Sequence, residues 1–329
     1  MKEMMKRYRT LFGLLVVLAC LMMAGSAVQA ANIKVPSGSE VLSGGKWKGK
    51  RVNGKKKFRY KKENGKFAKN GWKKIEGAWY CVDKSGYVYT GLKKINGSYF
   101  YFKRSTTAGT AGKMQTGLVT ISGKQYGFKT SGSAGSRGAR FESVWATVKG
   151  TEYYFRKDGS VHPQSRLSEE EFIEKIGPLA KEDMKNTGIL ASVTIAQAIL
   201  ESGYGSTSLA MEANNFFGMK AQLSGNTWDS DWAGATFSKK TQEWYGKGFV
   251  TITAEFRAYP DMSDSIRDHS NYLRSAKNGS KLRYAGVIGN KNYKKTIQLI
   301  KDGGYATDPN YVTKICSIIQ RFNLTKYDK

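Results

Sequence analysis

One short pattern of glycine and aromatic residues recurs in the middle of the chain, between residues 46 and 161. In most copies a glycine and a tryptophan or leucine are followed, after four residues, by a second glycine and an aromatic cluster. The copies start at residues 72, 92, 118 and 145, and a degenerate first copy surrounds Trp47. Aromatics alternating around turn glycines are typical of β-hairpins, and a lone hairpin cannot bury its apolar face. The pattern therefore predicts stacked hairpins, an all-β solenoid, over residues 46–163.

The first 30 residues have the composition of a secretory signal peptide. Four basic side chains precede an apolar run at 11–23, and small residues follow it. The run is short for a membrane span, so we expect no membrane segment after cleavage. Residues 31–45 are interpreted as a linker. We therefore expect a secreted, multidomain protein.

The net charge of +28 is concentrated in the repeats. Residues 32–166 carry 29 basic and 7 acidic side chains, a net charge of +22, whereas residues 167–329 carry 21 and 18. A segment this basic favours a polyanionic partner. Cys81 and Cys316 fall in different predicted domains and form no disulfide framework, and no Cys/His spacing suggests a zinc site. No metal or other cofactor is expected.

The second half of the chain is organised around residues 189–201. Its apolar residues recur at helical spacing, and Glu201 ends the run, just before a glycine-rich turn that stops a helix. A carboxyl group at the end of a buried helix is partly desolvated, which keeps its proton available for general acid catalysis. Taken alone, Glu201 also fits an exposed helix-end glutamate.

Two motifs beside Glu201 resemble those of a known enzyme family. Ala-Gln-Ala-Ile-Leu-Glu-Ser-Gly-Tyr-Gly at 196–205 and Asn-Asn-Phe-Phe-Gly-Met-Lys at 214–220 are similar to the glucosaminidase domains of glycoside hydrolase family 73. These are lysozyme-like enzymes that cut bacterial cell-wall glycan. The resemblance implies an α+β, mainly α-helical domain over residues 164–329, with Glu201 as the general acid. It also implies that the sugar is bound by Tyr204, Asn214, Asn215, Phe216, Tyr305 and Tyr311.

A second carboxylate is expected in a small β-lobe between residues 228 and 256. Glu243 matches the family position and would face the same groove as Glu201. An exposed hairpin glutamate is the alternative interpretation, and Glu255, Asp229 and Asp231 are the other candidates. His269 has no Cys or Ser partner in a recognisable arrangement, which favours either a core histidine whose hydrogen bonds are satisfied or a histidine that supports the site from behind, over a catalytic base.

Helix signals complete the second half. Ser168 and Glu171 form a capping box that predicts a helix start. Gly177 and Pro178 predict a break, with Pro178 opening the next helix. Pro309 predicts the start of the last helix, over residues 310–322.

The repeats resemble the cell-wall-binding, choline-binding-type repeats of Gram-positive surface proteins. Leu92 and Leu118 replace a tryptophan, and Gln125 stands where an aromatic is usual, so the resemblance implies wall binding but not choline binding. In that setting an anionic wall polymer such as teichoic acid is a more accessible polyanion than nucleic acid.

Together these features predict a secreted, wall-associated endo-β-N-acetylglucosaminidase that cleaves the GlcNAc–MurNAc backbone of peptidoglycan. An N-acetylmuramidase of the same fold and a non-catalytic wall-binding or adhesive protein remain open alternatives.

Overall fold

The computed structural model describes residues 39–132, 136–223, 228–244 and 249–329. Internal contacts divide them into two units, residues 39–166 and residues 167–329. The predicted signal peptide and residues 31–38 lie outside the described residues. In the described parts of the chain, no helix is long and apolar enough to cross a membrane.

The first unit contains five antiparallel hairpins, which confirms the hairpin prediction. Each hairpin is closed by a two-residue turn in which both residues have positive φ, as at Asn53 (φ 50°) and Gly54 (φ 73°). Positive φ at both positions defines the turn type whose twist matches that of the flanking strands. The strands are β2 and β3 (Lys46–Val52, Lys55–Lys61), β4 and β5 (Gly71–Ile75, Ala78–Val82), β6 and β7 (Gly91–Ile95, Ser98–Phe102), β8 and β9 (Gly117–Ile121, Lys124–Phe128), and β10 and β11 (Val144–Val148, Thr151–Phe155).

Backbone hydrogen bonds join each hairpin to the one before it. The segment that follows a hairpin donates an N–H group to the second strand of the preceding hairpin, as Val88 does to Phe58 (3.0 Å) and Met114 to Trp79 (2.8 Å). The same pattern recurs from Arg140 to Tyr99 and from Val161 to Gln125, both at 2.8 Å. The hairpins nevertheless remain separate sheets.

Residues 40–42, predicted as part of a linker, instead form a short strand. This strand, β1 (Glu40–Leu42), pairs parallel with β4. Its Leu42 side chain packs against a core that includes Phe58, Tyr60 and Tyr80. Burial of Leu42 and an ion pair from Glu40 to Lys62 (3.0 Å) hold the strand in place.

The second unit is mainly α-helical. Its main core contains buried side chains from the five described helices of ten or more residues, and it includes the apolar residues between positions 189 and 199. The helices are α1 (Glu169–Thr187), α2 (Ala191–Ser202), α3 (Ser208–Ala213), α4 (Met262–Ser275), α5 (Tyr293–Asp302) and α6 (Tyr311–Arg321), followed by a 3-10 turn (Leu324–Asp328).

Helix α1 begins at the predicted capping box but does not break at Pro178. Ser168 N–H donates to Glu171 (2.7 Å), and Glu171 N–H donates to the Ser168 hydroxyl (3.1 Å). The predicted break is wrong because Pro178 and Glu174 are exposed, so that water can solvate the carbonyl that proline leaves without a donor. Gly177 is buried, and a Cβ atom there would lie 2.4 Å from the Tyr327 ring. The glycine therefore serves close packing.

The predicted β-lobe is a single long hairpin. Strands β12 (Thr236–Trp244) and β13 (Phe249–Arg257) pair antiparallel from Thr236↔Arg257 to Trp244↔Phe249. Near its base, Phe237 and Phe256 pack against α3. A two-residue ladder, β14 (Lys277–Asn278) with β15 (Lys281–Leu282), lies between α4 and α5.

Candidate active site

Glu201 lies in the last turn of α2, a helix whose other residues are almost all buried. The helix ends at Gly203, whose N–H donates to the Ile199 carbonyl (3.0 Å). The residue as a whole is partly exposed, but its Oε1 atom is fully buried and has no hydrogen-bond partner among the described residues. Burial raises the pKa of the Glu201 carboxyl well above its usual range. Such a carboxyl keeps its proton and is suited to donate it.

Glu201 is the end of a polar stripe on α2. Thr194, Gln197 and Glu201 are three and four residues apart, so they share one side of the helix. Thr194 Oγ1, Gln197 Oε1 and Glu201 Oε1 are all buried, and none finds a partner within the described part of the chain. Our sequence analysis missed this stripe, although the polar residues at helical spacing within an apolar run were its signal.

Tyr305 and Tyr311 face this stripe. Gln197 Nε2 donates to the Tyr311 hydroxyl (2.8 Å). Burial, and then the nearby Glu201 carboxylate, raise the pKa of both phenols well above the usual range. The Tyr305 hydroxyl is buried and, among the described groups, has no partner. The structure therefore brings together three of the predicted site residues: one carboxyl group and two phenols that stay protonated.

His269 is part of the same interior. Its ring stacks on Phe217 with centroids 3.9 Å apart and meets the Tyr305 ring edge-on at 5.7 Å. Burial lowers the pKa of His269 to about 3, against an opposing effect of Asp268, so the ring is neutral. The ring lies in the core as predicted. It is not satisfied there, because neither nitrogen has a partner among the described residues.

The Asn-Asn-Phe segment is held by its own hydrogen bonds. Asn214 Nδ2 donates to the carbonyls of Tyr259 (3.0 Å) and Pro260 (2.9 Å). Asn215 is buried, donates to Met219 and Arg257 carbonyls, and accepts from the Met219 N–H. Its amide hydrogens are therefore engaged with backbone, which gives Asn215 a structural role, and its predicted contact with sugar stays a prediction.

The two aromatic candidates near this segment pack against α1. Phe216 is a core residue beside Phe172, with ring centroids 6.0 Å apart. Tyr204 has positive φ (56°) and meets Phe172 and Phe322 edge-on. Burial, together with a hydrogen bond to Glu169, raises the pKa of Tyr204 to about 12. Its hydroxyl is thus directed to Glu169 at the start of α1.

The candidate second carboxylates lie on or before the β12–β13 hairpin. The backbone of Glu243 pairs with Val250, and its side chain lies outside the described residues. Asp229, Asp231 and Glu255 are all exposed, and Ser238 donates to Glu255. The assignment of Glu243 stays a prediction.

A buried carboxylate that our sequence analysis did not select is Asp268 on α4. It forms an ion pair with Arg257 (2.9 Å) and accepts hydrogen bonds from Tyr259 (2.6 Å), Trp228 (3.1 Å) and Ser230. These donors occupy both carboxylate oxygens. Asp268 therefore ties the base of the hairpin to α4.

The raised pKa of Glu201 has a consequence for stability. When the pKa of a carboxyl group is higher in the folded chain than in the unfolded chain, its contribution to stability is complete only below the unfolded pKa, about 4.3. The folded chain loses this contribution as the pH rises through the folded-state pKa. Glu201→Gln lacks this ionisation, so its thermal midpoint should rise relative to wild type between about pH 4 and about pH 8. Calorimetry measures the difference at both values. The exposed Glu174→Gln is the control, and a pH-independent difference for Glu201→Gln would show that Glu201 ionises normally.

The second unit is a helical domain with a buried carboxyl group beside two tyrosines, and in the sequence it follows a set of β-hairpins. Residues 177–324 match the family described as mannosyl-glycoprotein endo-beta-N-acetylglucosaminidase. Residues 70–87 and 90–105 match the cell wall binding repeat. The chain thus carries a glucosaminidase domain together with cell wall binding repeats.

Individual relatives match about half of the chain. Exo-glucosaminidase LytG of Bacillus subtilis is 34% identical over 158 residues, which cover 48% of this chain and 53% of that protein. A Lactococcus lactis protein named "Probable N-acetylmuramidase" is 36% identical over 49% of this chain and 35% of its own. The catalytic domain of the autolysin Auto from Listeria monocytogenes is 31% identical over 50% of this chain and 92% of its own, with a TM-score of 0.44. The chain spans about half or less of the length of these two full-length relatives.

Proposed function

We propose that the chain is a secreted peptidoglycan hydrolase that cleaves the GlcNAc–MurNAc backbone with Glu201 as the general acid. The observation that carries the proposal is the Glu201 carboxyl group, whose buried Oε1 atom lies in a glucosaminidase domain beside Tyr305 and Tyr311. Glycoside hydrolysis needs a protonated acid next to the leaving oxygen, and burial raises the pKa of the Glu201 carboxyl and so favours its protonated form.

In this mechanism Glu201 gives its proton to the glycosidic oxygen as the bond breaks, which leaves a carboxylate in a poorly solvated site. The neutral Tyr305 hydroxyl, which has no partner among the described groups, donates to that carboxylate or to the sugar. Positive charge that develops on the sugar ring requires a second function. We assign it to Glu243, which activates the water that adds to the anomeric carbon or stabilises the positive charge there, with the substrate's own acetamido group as the alternative.

Three of the other predicted site residues hold the loop after α3 in position. Asn214 and Asn215 fix the loop after α3 against the base of the hairpin, through the hydrogen bonds to Tyr259, Pro260 and Arg257. Phe216 packs this loop against Phe172. We propose that the loop forms one wall of the sugar cleft, with the β12–β13 hairpin on the other side.

We further propose that residues 1–30 direct secretion and that the hairpins of residues 46–163 form a solenoid that holds the enzyme at the wall. The regular bonds between successive hairpins support a linear stack. The net charge of +22 over residues 32–166 supports an anionic wall polymer, such as teichoic acid, as the ligand.

The bond that is cleaved can be read from the products. Digestion of purified peptidoglycan followed by borohydride reduction and mass spectrometry should give GlcNAc at the new reducing ends. New MurNAc ends would instead assign the muramidase activity that the similarity to the Lactococcus lactis protein favours. A digest with Glu201→Gln at equal concentration sets the background of pre-existing ends.

A further inference from the structure

The first hairpin, β2–β3, is far more basic than the others. Residues 46–61 contain nine lysines and arginines and no acidic residue. Its register places cations directly opposite cations at three successive positions of one face. Because opposite residues of an antiparallel pair share a face, six cations lie on one side of the hairpin. We call this set the cation ladder: Lys46 with Lys61, Lys48 with Arg59, and Lys50 with Lys57.

The cation ladder faces away from the core of the hairpin. The opposite face carries Trp47, Phe58 and Tyr60, which pack into the aromatic core. The five lysines of the ladder are exposed. Of the carboxylates in the described part of the chain, none forms an ion pair with a ladder residue. The ladder is therefore an uncompensated basic surface.

The one arginine of the ladder is held in a fixed position. Arg59 stacks over the Phe67 ring at 4.0 Å and over the Tyr87 ring at 5.0 Å. Stacking fixes the plane of the guanidinium group while leaving its N–H groups free to bind, and this group matches the oxygens of a phosphate. The ladder thus combines one oriented phosphate-binding group with five exposed lysine charges, of which Lys57 also lies over the Tyr87 ring at 5.6 Å.

This arrangement is unfavourable for the isolated hairpin. Like charges directly opposite each other destabilise a strand pair. Neighbours in the ladder are about 5 Å apart across the strands and about 7 Å apart along them, well within the Debye length of about 10 Å at 0.1 M salt. The next two hairpins avoid the problem by pairing lysines with aromatics, as Lys73 with Tyr80 and Lys93 with Phe100. A bound polyanion would relieve the repulsion in the ladder.

We propose that the cation ladder is the site at which the repeats bind a linear phosphodiester polymer of the cell wall, an inference that rests on the wall-binding role in the proposed function. The ladder presents two parallel rows of charge about 14 Å long, which suits an extended chain of phosphates. A nucleic acid fits less well. Single strands are bound by stacking of bases on open aromatic rings, and Arg59 already covers the two rings beside the ladder.

The test uses the full chain and linear inorganic polyphosphate as the probe. Lys46→Gln, Lys48→Gln and Lys50→Gln are combined in a ladder variant. Its control combines Lys84→Gln, Lys103→Gln and Lys113→Gln, three exposed lysines of the same unit, so that both variants lose the same charge. Binding is measured over a range of salt. Each lost phosphate contact reduces the steepness of log K, the binding constant for polyphosphate, against log salt concentration by about 0.7. This slope should therefore be less steep by about 2 in the ladder variant, and should change much less in the control.

A thermal readout gives an independent test. Polyphosphate should raise the thermal midpoint of the first unit in wild type and in the control, and much less in the ladder variant, because repulsion no longer has to be relieved. Without polyphosphate, the ladder variant should melt no lower than wild type, which also shows that it is folded. Equal salt slopes and equal thermal shifts for the two variants would overturn the proposal.

Two further results are decisive. Single-stranded oligothymidylate that binds more tightly than polyphosphate of equal charge would assign the ladder to nucleic acid and overturn the wall ligand. Wild type should bind walls stripped of their phosphodiester polymer only as weakly as the ladder variant binds intact walls. Cleavage of short soluble glycan should be the same in both variants, so a failure of this proposal is distinguishable from a failure of Glu201 as the catalytic acid.

Discussion

Glu201→Gln is expected to lower the rate of cell-wall lysis by about 10²–10⁴-fold, the usual loss when a general acid is removed. Glutamine has the same shape but holds no transferable proton. The fold should survive, because the buried Oε1 atom of Glu201 forms no hydrogen bond with the described residues that the substitution would break. The rate is measured as clearing of purified walls and confirmed on soluble glycan fragments.

The matched control is Glu174→Gln, which removes the same charge from an exposed position on α1 of the same unit. Its rate should stay within about twofold of wild type, as expected for an exposed residue away from the site. If a folded Glu201→Gln variant keeps more than a tenth of the wild-type rate, the acid lies elsewhere and the proposed mechanism is wrong. Clearing of walls by neither wild type nor variant would favour a glycan-binding protein without catalysis.

The repeats were predictable because their signals are local. A turn such as Asn53-Gly54 and the aromatics that flank it lie within one hairpin, so short-range pattern is enough to predict it. The parallel pairing of β1 was not predictable in this way. It joins Glu40 to Lys73, residues that are distant in sequence, and the stretch before the first repeat carries no strand signal of its own.

The candidate site was predictable only in part, for the same reason. Glu201 ends a strongly periodic helix, so its place at the end of a buried helix could be predicted from the spacing of apolar residues, and its role as the acid from the family motifs. The roles of Gly177 and Asn215 depend on Tyr327 and Arg257, which reach them only in the folded chain. A glycine before a proline usually signals a helix end, but here the glycine allows close packing against Tyr327, and the helix continues because Pro178 and Glu174 are exposed.

Asp268→Ala is expected to cause the largest loss of stability in the second unit. It would leave Arg257 as a buried charge without its carboxylate, and the side chains of this pair are only 9% and 4% exposed. Breaking one partner of a buried ion pair destabilises a protein by about 3–5 kcal/mol. For a unit of this size the thermal midpoint should fall by roughly 10 °C, at about 2–4 °C per kcal/mol.

An exposed aspartate of the same unit provides the control for the loss of a carboxylate. Asp231→Ala removes a side chain that is 81% exposed and 4.0 Å from Arg267. A surface pair of this kind contributes little, so the variant should change the free energy of unfolding by at most about 0.5 kcal/mol. A loss as large as that of Asp268→Ala would show that burial of the ion pair is not the cause.

A double variant separates the charge of Asp268 from its hydrogen bonds. Asp268→Asn with Arg257→Met removes both buried charges and should recover much of the stability lost by Asp268→Ala. A methionine side chain in place of the arginine would keep contact with the Trp228 and Trp232 rings, on which the guanidinium stacks at 4.0 and 4.5 Å. If the double variant is as unstable as Asp268→Ala, the hydrogen bonds from Tyr259 and Trp228, rather than the charge of Arg257, make Asp268 necessary.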